Sequence, residues 1–224
     1  MTTRREMLTA AGLLGVGAFL SSSARASAPT SGVPVPIPRP DVPIQALPVR
    51  VYLFRGLFEL FSYGLDDLAR KFRNEGRWAE VYGLGDVEKA RAEILARQKT
   101  APGTEQFVLI GHSWGGDISL EIADALFKQG GQVELIAAFD AVTQRKVGPG
   151  VRRFVNYYQS SGGWSKPIET VAGFAGTSEN KDLALGLGRN HLNIERSPDL
   201  HTDIMARVAS FAPPVAGNAR TAGR

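Results

Sequence analysis

Ser113 is the residue of this 224-residue chain whose neighbours best suit a nucleophile. It sits in Gly111-His112-Ser113-Trp114-Gly115, after the apolar run Phe107-Val108-Leu109-Ile110. A helix-like run follows at once, with Ile118, Ile122, Ala125 and Leu126 recurring at helical spacing. An apolar strand, a glycine-flanked serine and a helix are the sequence form of a nucleophile elbow, a tight strand-to-helix turn that holds its serine in a cramped backbone conformation. Residues two places either side are pressed close, so Gly111 and Gly115 read as steric requirements, and Gly116 gives the helix room to pass the strand. The hydroxyl is then presented at a helix N-terminus, where free N–H groups favour developing negative charge.

A serine hydroxyl is a poor nucleophile at neutral pH and needs a base within hydrogen-bond reach. The chain has three histidines. His112 adjoins Ser113, so its side chain diverges and reads as packing or pocket lining. His201 falls inside a terminal helix, at Pro198-Asp199-Leu200-His201, where a surface or capping role is expected. His191 lies in the loop Gly188-Arg189-Asn190-His191-Leu192-Asn193-Ile194 and is the favoured base. Asp140 ends an apolar strand and is the favoured orienting carboxylate; Glu179, Asp182 and Glu195 are its rivals. The order Ser113, Asp140, His191 is one of the chain orders in which serine hydrolases carry these groups. An oxyanion needs two aimed donors. The Trp114 N–H supplies one, and the turn after the first strand, where Gly56 lets the backbone approach, supplies the other from Leu57 or, next, Phe58.

The elements that must position these groups follow from hydrophobic pattern. Strands are predicted over 49–54, 78–82, 107–110, 133–139 and 154–158, with a weaker one over 169–174. Helices are predicted over 65–72, 86–98, from the elbow to Gly130-Gly131, and over 198–211. Short buried strands alternating with helices predict a mostly parallel sheet with helices on both faces. Ligands of such sheets bind beyond the carboxyl ends of the strands, where Gly56, Ser113 and Asp140 fall.

With the elbow, the Gly56 turn and a late histidine before a final helix in hand, the chain over residues 49–211 resembles the α/β-hydrolase superfamily, in the manner of serine esterases, lipases and thioesterases. The resemblance implies a single α/β domain acting through an acyl-enzyme on an ester or thioester. Two positions depart from the family pattern. Arg55-Gly56 stands where His-Gly is frequent, and the acid usually follows the next strand, where Tyr158-Gln159-Ser160-Ser161 offers none. No stretch is long enough for a large lid, residues 141–151 making at most a small flap. Phe58, Phe61, Trp114 and Trp164 suggest an apolar acyl or aryl pocket, and fit a core equally well. Two other classes stay open: a non-catalytic member of the fold that binds a ligand or partner, and an amide or peptide hydrolase using the same residues.

Composition narrows the rest. The net charge of +4 is spread over a mixed surface without a basic run, so nucleic acid is not an expected partner. The absence of Cys excludes disulfides, thiolate catalysis and thiolate metal sites; no metal and no cofactor is expected. Arg4-Arg5 followed by the apolar run Leu8 to Leu20 and Ala24-Arg25-Ala26 has the parts of a twin-arginine-type export signal ending at residue 26. This predicts engagement of that export machinery, a periplasmic or secreted location, and no stable transmembrane span after processing, the uncleaved anchor being the alternative. Cleavage would remove three arginines and one glutamate, halving the net charge. Residues 27–48 hold seven of the 13 prolines and read as an extended linker. Residues 212–224 read as a frayed tail.

Overall fold

The computed structural model describes residues 47–57, 63–143, 145–183 and 188–213. The expected export signal and most of the proline-rich linker lie outside the described residues, as do Phe58, Phe61 and nearly all of the tail. Six strands form one sheet: β1 (Val49–Phe54), β2 (Trp78–Tyr82), β3 (Gln106–His112), β4 (Val133–Phe139), β5 (Arg153–Tyr158) and β6 (Thr177–Asp182). Their order is β2-β1-β3-β4-β5-β6, and every neighbouring pair is parallel. All the strand C-termini therefore emerge along one edge of the sheet.

Strand alternation sends side chains to two cores. Val51 and Leu53 of β1, Val108 and Ile110 of β3 and Leu135 and Ala137 of β4 face α1 (Gly64–Asn74) and α4 (Pro198–Phe211), meeting Leu65, Leu68, Phe72, Ile204 and Val208. Tyr52, Phe54, Leu109 and Ile136 face α2 (Val87–Thr100) and α3 (Trp114–Phe127), meeting Ile94, Leu120, Ile122 and Leu126. The fold is thus a single α/β domain with helices on both faces of a parallel sheet.

The helices carry their own boundaries. Asp66 and Asp67 stand in the first turn of α1 and Lys71 and Arg73 in its last, each complementing the helix dipole. Pro198 opens α4, where its missing N–H costs nothing. Helix α2 buries only Ala90, Ile94 and Gln98, and a fully buried large apolar side chain contributes about 1.5–3 kcal/mol. It leans instead on a polar network: Tyr52 and Arg97 donate to Glu93 at 3.0 and 2.9 Å, and Arg50 donates to Glu105 at 2.6 Å.

One expectation needs correction. The weak strand expected over 169–174 is not one: Thr170 makes only an isolated bridge to Val147, and the sixth strand is Thr177–Asp182. That strand is polar throughout and pattern reading passes it over. Side-chain hydrogen bonds hold it, with Asn180 accepting from Asn156 at 3.0 Å and from the Ile168 N–H at 2.8 Å. Residues 141–151, expected to make at most a small flap, are anchored at both ends. Ala141, Val147 and Val151 are buried in the core beside α3.

Candidate active site

Residues 111–116 carry the β3-to-α3 turn. A Cβ on Gly111 would fall on the backbone of Gly115, and one on Gly115 would fall on the Phe54 carbonyl. The turn is that tight because α3 starts one residue past the serine and passes over the end of β1. Ser113 pays for it with φ 54° and ψ −124°, a region that L-residues avoid. Asp140, directly after β4, has φ 48°. Among the described residues these are the only non-glycine positions with positive φ.

The structure brings Ser113 and His191 together, with Nε2 of His191 3.1 Å from Oγ of Ser113. The loop before α4 reaches back over the strand ends to deliver it. Nδ1 of His191 lies 3.5 Å from Oδ2 of Asp140, beyond good hydrogen-bond geometry, and is a buried nitrogen without a hydrogen-bond partner. Asp140 is 1% exposed and well supplied with donors. The Gln159 N–H reaches Oδ1 at 3.0 Å, the Ser165 hydroxyl donates to the same oxygen, and the Gln159 side-chain amide reaches Oδ2 at 3.1 Å. Three donors thus converge on one carboxyl group, at least one on each oxygen.

The remaining sequence candidates separate cleanly. Gly56 abuts the serine, since a Cβ there would lie 2.8 Å from Cβ of Ser113, so Leu57 leaves β1 beside the hydroxyl. Trp114 is the first residue of α3, where a backbone N–H has no intrahelical acceptor. His201 does not face the serine. Its Nε2–H donates to the Glu195 carbonyl at 2.6 Å, and its Nδ1 lies 2.9 Å from Nζ of Lys71, tying α4 to α1. Of the rival acids, Glu179 pairs with Arg207, Asp182 accepts from the Ser160 N–H, and Glu195 is buried beside Arg196.

Sequence reasoning missed Gln159 and Ser165, and read His112 and Trp164 only as packing or pocket lining. His112 is more than packing: its Nε2 lies 2.7 Å from the His191 carbonyl, which only accepts, so His112 donates and holds the backbone of the loop that carries His191. Burial lowers its pKa to about 4, so its ring is neutral at ordinary pH. Trp164 stacks on the His191 ring, the centroids 4.9 Å apart and the planes 14° from parallel. Gln159 and Ser165 hold Asp140, as above. None of the four carries a periodic signal. The one hint lay in Tyr158-Gln159-Ser160-Ser161, where an amide stands and no acid does.

The exposed large apolar side chains among the described residues are Leu57, Tyr63, Trp114, Trp164 and Leu192, between 43% and 60% exposed. Leu57 follows Gly56, Trp114 and Leu192 adjoin Ser113 and His191, Trp164 covers His191, and Tyr63 lies under the guanidinium of Arg55 at 5.6 Å. Four of the five thus adjoin or stack on residues of the site, and Tyr63 packs against Arg55. No group of three or more metal-ligating side chains occurs among the described residues.

No family model matches the chain. Over 99 residues it is 41% identical to the 5,5'-dehydrodivanillate O-demethylase ferredoxin reductase subunit of Sphingobium sp. (strain NBRC 103272 / SYK-6), a stretch covering 42% of this chain and 23% of that protein. The chain thus spans about a quarter of that relative's length. Among solved structures it is similar to human thioesterase 2, with TM-score 0.47, 10% identity, and 73% of this chain and 95% of that one covered. It is also similar to the RedJ thioesterase of prodiginine biosynthesis in Streptomyces coelicolor, with TM-score 0.43, 13% identity, and 85% and 97% covered. At these scores the likeness is partial, and the fold stands on the strand order and register themselves.

Proposed function

We propose that this chain is a serine hydrolase that cleaves a carboxylic ester or thioester through an acyl-enzyme on Ser113. The observation that carries the reading is the 3.1 Å approach of His191 Nε2 to the hydroxyl of a serine held in a strained backbone turn. In this reading Nε2 accepts the hydroxyl proton as Oγ attacks the acyl carbonyl. The N–H groups of Trp114 and Leu57 receive the oxyanion. His191 returns the proton to the departing alcohol or thiol, then activates the water that releases the acid. Asp140 faces the opposite side of the ring and stabilises the imidazolium formed in each half-reaction. The apolar collar around the serine favours an acyl or aryl group over a charged one. The N-terminal sequence adds the proposal that the enzyme works outside the cytoplasm.

The test is hydrolysis of p-nitrophenyl esters of graded chain length beside matched anilides, with a fluorophosphonate used to label the serine. Ester turnover, an adduct on Ser113, and a loss of at least about 10³-fold in Ser113→Ala are expected. A chain that turns over no ester, takes no label, or keeps its rate in Ser113→Ala overturns the reading. Anilides cleaved faster than esters would move the assignment to amide hydrolysis by the same groups.

A further inference from the structure

One short segment touches both the acid and the base. Gln159, directly after β5, gives its backbone N–H to Oδ1 of Asp140 and its side-chain amide to Oδ2. Six residues on, the Ser165 hydroxyl donates to Oδ1, and also lies 3.3 Å from the Gln159 N–H. Between them Trp164 lies flat on the His191 ring. The carboxylate oxygen nearest His191 is thus already engaged by Gln159, and Nδ1 of His191 is left 3.5 Å away without a hydrogen bond.

Each neutral donor drains charge from the carboxylate that it holds. A carboxylate loaded with three of them stabilises an imidazolium less well than a bare one, and one clamped 3.5 Å away less well than one free to close. We propose that Gln159 and Ser165 are positioning residues that hold the Asp140 carboxylate off Nδ1 of His191, a proposal that rests on the hydrolytic reading for its purpose but not for its measurement. A base kept from binding its proton too tightly stays competent at lower pH, which suits a group that must accept and return a proton in each half-reaction. The other titratable groups facing this ring are few. His112 lies 5.1 Å away and is kept neutral by burial, and Arg196, on the turn after His191, acts on His112. Asp140 is therefore the charged group that stands against the Nδ1 side of this ring.

The measurement is the pKa of the His191 imidazole by NMR titration. The chain has only three histidines, and His191→Gln identifies the signal. Ser165→Ala and Gln159→Leu each remove one side-chain donor while keeping the backbone, and each should raise the His191 pKa by about half a unit or more, a threefold or greater gain in proton affinity. Ser165→Thr keeps the hydroxyl and should restore the original value. If Ser165→Ala does not fold, Ser165→Cys, close in size and a weak donor, takes its place. A pKa unmoved or lowered in the folded variants overturns the proposal. The titration needs no turnover, so it decides the positioning role even in a chain that hydrolyses nothing, and a failure to hydrolyse is read separately.

Discussion

At the scale of the residue, Ser113 shows what the site costs. Its φ of 54° and ψ of −124° are the mirror image of the extended polyproline conformation. Side-chain sterics forbid that region to L-residues and leave it open to glycine. Strain of this kind is worth about 1–3 kcal/mol and persists only where the surroundings impose it. Ser113→Gly should therefore raise stability by about 1 kcal/mol or more while removing the hydroxyl proposed as nucleophile, read as a higher urea midpoint beside an absent fluorophosphonate adduct. A midpoint equal to or below that of Ser113→Ala would show that the turn is unstrained. The same turn explains why Ser113 could be read from sequence: only glycine fits at 111 and 115, and the apolar run before them declares a strand. His191 and Asp140 were readable through scarcity and position, as one of three histidines and as an acid closing a buried strand. Gln159 and Ser165 were not, because they act through hydrogen bonds from a loop, and Trp164 was legible only as pocket or core, because neither such bonds nor a ring stack leaves a period in the sequence.

At the scale of the element, the helix that begins at the serine also secures the strand that ends at the acid. Asp117, in the first turn of α3, is buried and accepts from the N–H groups of Val142 and Thr143 at 3.2 Å each and from the Thr143 hydroxyl at 2.6 Å. Those residues follow Asp140 by two and three, so one carboxylate fixes the path of the chain leaving the strained acid. Asp117→Ala would remove the acceptor of three donors, and because Thr143 is exposed, water can take over the two that it carries. A loss of about 1–2 kcal/mol in denaturant unfolding is expected. A fall in kcat larger than any change in KM should accompany it, because Asp140 loses its anchorage while the apolar collar stays. Asp117→Asn, which keeps an acceptor, should recover most of the stability; equal damage from both variants would sink this account. Such ties are invisible to pattern reading, and the elements themselves were not. Strands β1, β3, β4 and β5 are almost wholly buried and spell largely apolar runs, and edge strand β2 keeps enough apolar residues around the exposed Glu80 to be read, whereas β6 is made of six polar residues and is recognised only by what its side chains meet across the sheet.

At the scale of the whole molecule, one buried histidine links acid stability to the site. His112 is almost fully buried at the end of the central strand β3, where desolvation lowers its pKa from 6.5 to about 4. The unfolded chain takes up a proton at this position below about pH 6.5 and the folded chain only below about 4, so across that interval unfolding binds a proton and acid favours it. The stability that His112 supports is complete above pH 6.5 and declines as pH falls towards 4, by on the order of 3 kcal/mol in all. His201, its pKa also lowered by burial, adds to the fall with the same sign. Glu195 opposes both: burial raises its pKa, so the stability it lends is complete below the ordinary carboxylate range and is lost as pH rises through the folded value. The two histidines should prevail between pH 6.5 and 5, and urea midpoints should drop through that interval. His112→Gln places an uncharged amide near the position of Nε2, where it can still donate to the His191 carbonyl, and should flatten the drop while leaving the midpoint at pH 7 within about 1 kcal/mol. A slope equal to that of the unchanged chain would mean that His112 does not titrate on unfolding. Its bond to the His191 carbonyl would then be structural at every pH, and the acid sensitivity of the fold would have to come from elsewhere.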